Sequence, residues 1–444
     1  MIYIFKRGYG ILKKDGISKF ILRFFDYFIK LLQYKLNSNS DKKNANWFKY
    51  ISDLESRAEI LTCTPWKLGF ETTSMCNLQC IMCLHVFSPL GNGKHFDLEK
   101  LTLFEDYIAR AGEFQLMGCG EPLISPAFWK IMEYIKQTHK VKPRMAVSSN
   151  AVALNKTLAD RILESPLDEI SFSLDATKPE TYKKIRNSNL DKTISNIRYL
   201  LEQKRKLSLK KPLVILNMTL MKENLMELNS LVLLAHELGA DAVSFWPLHD
   251  YNSTETSNWR VERNGWVFSY REQMLGQDEE QAELANAEIA KALQTAQAKG
   301  IELVLPVGGL PKFVEQKKAD TANQAVSLEQ ISISSSAAQT SEKSPALPET
   351  SSQPMPTAGD VAVRHSLREC VSPWEWMAVS ECGEVHACCY QEQSCGNIGQ
   401  STLEEIWNGP VYREMRRSLA NNILPEVCKN AACKYVRSYW MYNN

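Results

Sequence analysis

The sequence carries almost no charge of either sign in excess: 52 Lys and Arg stand against 51 Asp and Glu, a net of +1 over 444 residues. A chain so balanced projects no global field toward a polyanion, so nucleic acid is not expected as a partner. It has no apolar run of the roughly 18 to 20 residues that a membrane-spanning helix requires. No cleavable signal pattern, glycine-rich phosphate loop, dinucleotide fingerprint or serine-hydrolase elbow occurs. Histidine is scarce, at seven residues. His85 could line a pocket, but both it and His386 read more readily as solvated or core residues.

Cysteine is what stands out: there are twelve, in two groups separated by several hundred residues. In a secreted chain they would point to disulfides, whereas two distant groups without a signal pattern fit metal binding in a reducing cytosol. With 44% apolar residues, the chain is long enough for two or three domains with cores of their own.

The first 36 residues interleave Ile11, Leu12, Phe20, Phe24, Phe25 and Phe28 with Lys13, Lys14, Lys19, Arg23 and Lys30. Such a basic amphipathic stretch can lie on an anionic membrane surface, dock a partner, or pack on the protein's own body. Asn37 to Asn46 then read as a linker, which closes a first segment at 1–46. From Trp66 to about Asp250, short β-branched runs alternate with stretches of helical period, the pattern of βα units around a parallel sheet. The expected strands are Lys67 to Thr72, Glu113 to Met117, Arg144 to Ser148, Glu169 to Leu174, Leu213 to Leu220 and Ala242 to Trp246. Helices are expected at Pro126 to Lys140 and Asn224 to Leu238, the latter capped by Gly239. Six units fall short of an eight-unit barrel, so the fold class is α/β with a partial (β/α)6 barrel. A helix over Glu279 to Lys299 and an apolar run, Ile301 to Val307, complete a domain at 47–310. Residues 318–362 are Ser-, Thr-, Ala-, Gln- and Pro-rich and predict a disordered insertion; residues 363–444 form the last domain.

Cys76, Cys80 and Cys83 follow the first expected strand. Three cysteines at this spacing can share one helix face as small apolar residues, supply three ligands of a structural zinc, or leave one iron of a four-iron cluster open. Downstream, the second strand ends in Met117-Gly118-Cys119-Gly120-Glu121-Pro122, the third in Ser148-Ser149-Asn150, and the fourth runs Ser171-Phe172-Ser173-Leu174-Asp175. Taken together, these runs resemble the radical S-adenosylmethionine (SAM) superfamily.

That resemblance implies a [4Fe-4S] cluster on Cys76, Cys80 and Cys83 whose fourth iron chelates SAM, and reductive cleavage of SAM to a 5'-deoxyadenosyl radical. It implies that Gly118, Gly120 and Glu121 receive the ammonium of SAM, and that Asn150 and Ser173 line the SAM pocket. Arg186 stands where related enzymes place an arginine on the SAM carboxylate, a task suited to a bidentate guanidinium. Cys119 departs from the family's usual small residue, which puts the turn's conformation in question.

The second cysteine group resembles the SPASM or twitch domain of the same superfamily, through Cys370, Gly383, Cys388, Leu403 to Asn408, Arg413 to Arg417, and the closing pair Cys428 and Cys433. The resemblance implies an auxiliary [4Fe-4S] cluster on Cys370, Cys388, Cys428 and Cys433. Cys389 and Cys395 are in reserve, while Cys63 and Cys382 read as structural. The expectation is therefore a cytoplasmic radical SAM oxidoreductase or modifying enzyme with a reducing electron donor such as flavodoxin or ferredoxin. A peptide or protein substrate is preferred over a sugar or aminocyclitol. A zinc-stabilised binding protein without SAM chemistry is the competing class.

Overall fold

A computed structural model describes residues 42–83, 93–139, 142–248, 260–263, 265–276, 278–304, 366–391, 393–429, 433, 435 and 436. The amphipathic stretch 1–36, His85 and the expected insertion at 318–362 lie outside them. Among the described residues no helix is long and apolar enough to cross a membrane.

The strands are β1 (Lys67–Glu71), β2 (Glu113–Met117), β3 (Arg144–Ser149), β4 (Glu169–Ser173), β5 (Leu213–Leu220), β6 (Ala242–Pro247), β7 (Val261–Arg263), β8 (Trp266–Phe268), β9 (Glu302–Val304), β10 (Trp376–Val379), β11 (Glu384–His386) and β12 (Gly396–Asn397). The first six match the expected strands to within a residue at each end and pair in parallel in chain order. The sheet is larger than six units, however. β9, from the apolar run after the long helix, adds in parallel beside β6. On the other edge β10 pairs in parallel with β1, and β11 and β12 follow antiparallel, so one ten-stranded sheet runs β12-β11-β10-β1-β2-β3-β4-β5-β6-β9. The C-terminal segment thus continues the barrel's own sheet.

Alternation along the strands sorts the two faces of this sheet. Leu68, Phe70, Phe114, Leu116, Met145, Val147, Ile170, Phe172, Val214, Leu216, Val243 and Phe245 all enter the main core. The helices Pro126–Thr138, Leu190–Lys206 and Leu228–Leu238 contribute Phe128, Ile197 and Leu231 to the same core. Phe70 is fully buried, with ring centroids 4.7 to 5.2 Å from Phe96, Phe104 and Phe114; a side chain so buried contributes about 1.5–3 kcal/mol. The opposite face carries Glu71, Gln115, Ser148, Ser171, Ser173, Asn217 and Ser244.

Helix ends obey their local chemistry. Ser125 accepts the Phe128 N–H ahead of Pro126, which starts that helix. Gly239, at φ +77°, ends Leu228–Leu238 as expected. The preceding turn, Lys222–Glu227, is 3-10 rather than α, because Asn224 turns its amide to the Asp175 and Thr219 carbonyls at 2.8 Å each.

Candidate cluster sites

The sequence-identified loops meet beyond the C-terminal ends of β1 to β6, where open parallel sheets bind ligands. The cysteine loop after β1 is clamped from several directions. Ile81 donates its N–H to the Ile185 carbonyl at 2.9 Å, and Arg263 donates to the Gln79 carbonyl at 2.6 Å. Tyr270 donates to the Met82 carbonyl. Ile81 itself is packed among Ile185, Met221, Phe268, Tyr270 and Met274. The β7–β8 hairpin and the turn after it therefore hold the loop. Nothing near the cysteines in sequence announced Arg263 or Tyr270, which lie far downstream.

Burial raises the Cys76 thiol to about 11, with Cys80, Glu121 and Cys83 adding to the effect. Burial likewise pushes up Cys80. Thiols so placed are poor anions alone but become thiolates when a cation shares the site. Cys76 also receives the Leu78 N–H at 3.4 Å and Asn150 Nδ2 at 3.8 Å.

Gly120 is required by close approach: a Cβ there would sit 2.4 Å from both the Thr73 and Met75 carbonyl oxygens. Gly118 has φ +146°, and a Cβ would meet Glu71 Cγ at 2.8 Å. Cys119 fits the turn, hydrogen-bonded through its thiol to the Glu71 carboxylate. Glu121 is buried. Its Oε1 accepts from Leu123 N at 3.1 Å and Ser149 Oγ at 2.7 Å, and its Oε2 accepts from Asn150 N at 2.7 Å. Burial raises its pKa, and these three bonds lower it in part. A carboxylate has about four acceptor positions, so one is left for a ligand.

Ser173 stands in register with Asn217, and Asn217 with Ser244. Ser244 donates to Asn217 Oδ1 at 2.7 Å, which makes a polar row on the concave face. Val214 lies in the core on the other side, so Asn217 faces the concavity. Arg186 ends the helix Pro179–Arg186 and is buried, with Nη2 2.6 Å from Asp175 Oδ2 and Nη1 donating to Cys80 Sγ at 3.5 Å.

At the seam between β1 and β10, Glu71 faces Glu381. Burial, the Glu381 charge and a bond to Glu381 raise Glu71 to about 7, against a lowering bond from Cys119. Neither glutamate belonged to a recognisable motif.

The second group of thiols is formed by Cys370, before the helical turn Ser372–Glu375, Cys388 after β11, and Cys428 and Cys433 near the end. Burial raises Cys370 to about 12, with Cys433 contributing. It raises Cys388 and Cys428 too, and each feels Cys370. Cys389 adjoins Cys388 and Cys433, and Gln391 Nε2 donates to Cys395 Sγ at 3.2 Å. Cys63 instead accepts the Trp407 indole N–H on its carbonyl at 2.8 Å, a packing position. Among the described residues no three His, Cys, Asp or Glu side chains gather closely enough to share one metal ion. A cubic cluster seats each thiolate at a separate iron, and buried thiols that influence one another across a small space suit that donor geometry.

Residues 70–235 match the model of the radical SAM superfamily, and residues 370–434 match an iron-sulfur cluster-binding domain, SPASM. A probable GTP 3',8-cyclase of Methanocaldococcus jannaschii is 27% identical over 188 residues, 41% of this chain and 60% of that protein. An AdoMet-dependent heme synthase of Methanosarcina barkeri is 22% identical over 362 residues, 80% of this chain and 86% of that protein. A mycofactocin maturase of Mycobacterium ulcerans is 24% identical over 140 residues, 32% of this chain and 36% of that protein. The chain thus spans under two thirds of the length of the first and third of these relatives. Among solved structures, Streptococcus suis SuiB bound to the precursor peptide SuiA superposes with TM-score 0.53 at 14% identity, over 89% of this chain and 79% of SuiB. Native anSMEcpe with bound AdoMet gives TM-score 0.52 at 14% identity, over 85% of this chain and 95% of that one. At such identity these structures speak for the fold. The domains imply SAM, a SAM-binding [4Fe-4S] cluster and auxiliary iron-sulfur. The chain is a radical SAM superfamily enzyme with a C-terminal SPASM domain.

Proposed function

We propose that Cys76, Cys80 and Cys83 hold the SAM-binding [4Fe-4S] cluster, that Cys370, Cys388, Cys428 and Cys433 hold an auxiliary one, and that the substrate is a peptide or protein. When bound, the first cluster and SAM supply a 5'-deoxyadenosyl radical that abstracts hydrogen. The chain's own residues do the rest. Gly118 and Gly120 let backbone carbonyls approach the ammonium of SAM, and Glu121 offers its last acceptor position to the same group. Asn150 and Ser173 line the pocket, and the Ser173–Asn217–Ser244 row presents polar atoms to whatever enters the concave face.

The observation that carries this reading is the meeting of a three-thiol loop with the buried Glu121 turn at the C-terminal ends of one parallel sheet. The peptide preference is supported by two similar folds whose structures hold a peptide: SuiB with the precursor peptide SuiA, and anSMEcpe with the Cp18Cys peptide. A small-molecule substrate is the second reading, favoured by the long match to the heme synthase.

Anaerobic reconstitution with iron and sulfide tests the proposal. Brown protein with on the order of eight iron atoms, forming 5'-deoxyadenosine, is the expected result. Cys80→Ala should abolish SAM cleavage and keep about four irons. Colourless, zinc-loaded protein that forms no deoxyadenosine would favour the zinc-scaffold class instead. Peptides and small molecules encoded or made by the neighbouring genes then separate the two substrate readings.

A further inference from the structure

We propose that Arg186, held by Asp175, is a positioning residue that donates a charge-assisted hydrogen bond to the Cys80 sulfur and so sets how readily the first cluster accepts an electron. The inference rests on the cluster assignment above. Its geometry is built into the fold. Asn187, at φ +54°, ends the helix in a left-handed turn immediately after Arg186. The Ile185 carbonyl bonds directly to Ile81 in the cysteine loop, so backbone fixes the separation of Arg186 from Cys80.

Asp175 is fully buried and has no freedom to turn away. Its Oδ1 accepts the Thr219 N–H at 2.6 Å, and its carbonyl accepts Asn224 Nδ2 at 2.8 Å. With Asp175 pinned by β5 and the turn after it, Nη2 is committed, and Nη1 meets the sulfur at 3.5 Å. The guanidinium also separates two groups that repel each other when ionised, the Asp175 carboxylate and the Cys80 thiolate.

Reduction adds negative charge to a cluster already bearing thiolates. A cation and hydrogen bond at one sulfur stabilise the reduced form and raise the potential. In the test, the electron comes from dithionite and passes to the cluster, while no bond of Arg186 is made or broken. This role is separate from the expected grip on the SAM carboxylate: two of the five N–H donors face Asp175 and Cys80, and buried Nε has no partner.

The test is an EPR-monitored redox titration of reconstituted holoenzyme, following the signal that changes on SAM addition. Arg186→Gln should lower the ratio of reduced to oxidised cluster at a fixed poise at least tenfold, equivalent to about 59 mV for a one-electron couple. Arg186→Lys, which keeps the charge but not the fork, should give a smaller fall, and it serves if the glutamine variant does not assemble. An unchanged ratio in a variant that binds its cluster overturns the inference, as does loss of SAM affinity alone. Failure of the wild-type chain to assemble this cluster would instead count against the cluster assignment.

Discussion

Glu121 and Asn150 are joined by a 2.7 Å bond from the Asn150 N–H to Glu121 Oε2, which ties the turn after β2 to the end of β3. Asn150 then reaches on with Nδ2 to Asn77 Oδ1 at 2.8 Å and to Cys76 Sγ. The glutamate and the cysteine loop are therefore coupled through one residue. Its place in the motif suggested contact with SAM, and its bonds show that it also shapes the loop.

Glu121→Gln should lower stability by about 1–3 kcal/mol, because an NH2 replaces one of two accepting oxygens and leaves a buried donor without a partner. SAM affinity should weaken about tenfold or more, since about 1.4 kcal/mol is a factor of ten. Denaturant titration and anaerobic calorimetry read the two effects separately. A variant with full stability and full SAM affinity would remove Glu121 from both roles.

Gly120→Ala forces a methyl group against two carbonyl oxygens at 2.4 Å. Those atoms belong to the backbone leading into Cys76, so the loop must shift. SAM-site iron should be lost while auxiliary iron stays, leaving about four irons per chain. Gly300→Ala, at φ +68° with open space around it, should cost about 1 kcal/mol of stability and no iron.

Arg416 is a fully buried cation satisfied by oxygens of uncharged groups. It donates to the carbonyls of Pro373, Trp407 and Glu59 and to Asn408 Oδ1, at 2.8 to 3.2 Å, and lies over the Trp407 ring at 4.6 Å. Arg416→Ala should cost roughly 3–5 kcal/mol, because several buried acceptors lose their donor at once. A lower midpoint in anaerobic denaturant titration is the expected signature.

Glu71 gives stability a pH dependence with a definite sign. Its folded pKa of about 7 lies above the ordinary carboxylate value. Between those two values the folded chain keeps a proton that the unfolded chain has released, so this group's contribution falls as pH rises through the window. Glu71→Gln should therefore gain on the wild type, in anaerobic thermal melts, from about pH 5 to about pH 8. A difference that stays flat over that range would mean that Glu71 does not hold its proton in the folded chain near neutral pH.

The six expected strands and the Gly239 cap could both be read along the chain, because each depends on period or on residues within one turn. The thiol spacings were equally local. Arg186 shows the limit: its position in a motif suggested SAM, but its immediate partners are Asp175 and Cys80. Arg263 and Tyr270 show it again, since they steady a loop nearly two hundred residues earlier in the chain.

Sequence alone determined which segments become strands and helices, which thiols travel together, and where glycine is needed for close approach. Tertiary structure decided that β10 completes the edge of β1, that Glu71 meets Glu381 across that seam, and that Arg186 turns to a cysteine. The reason is physical. Periodicity and capping are settled by neighbours in the chain, whereas strand edges and buried charges are satisfied by whichever distant group the packed core brings within reach.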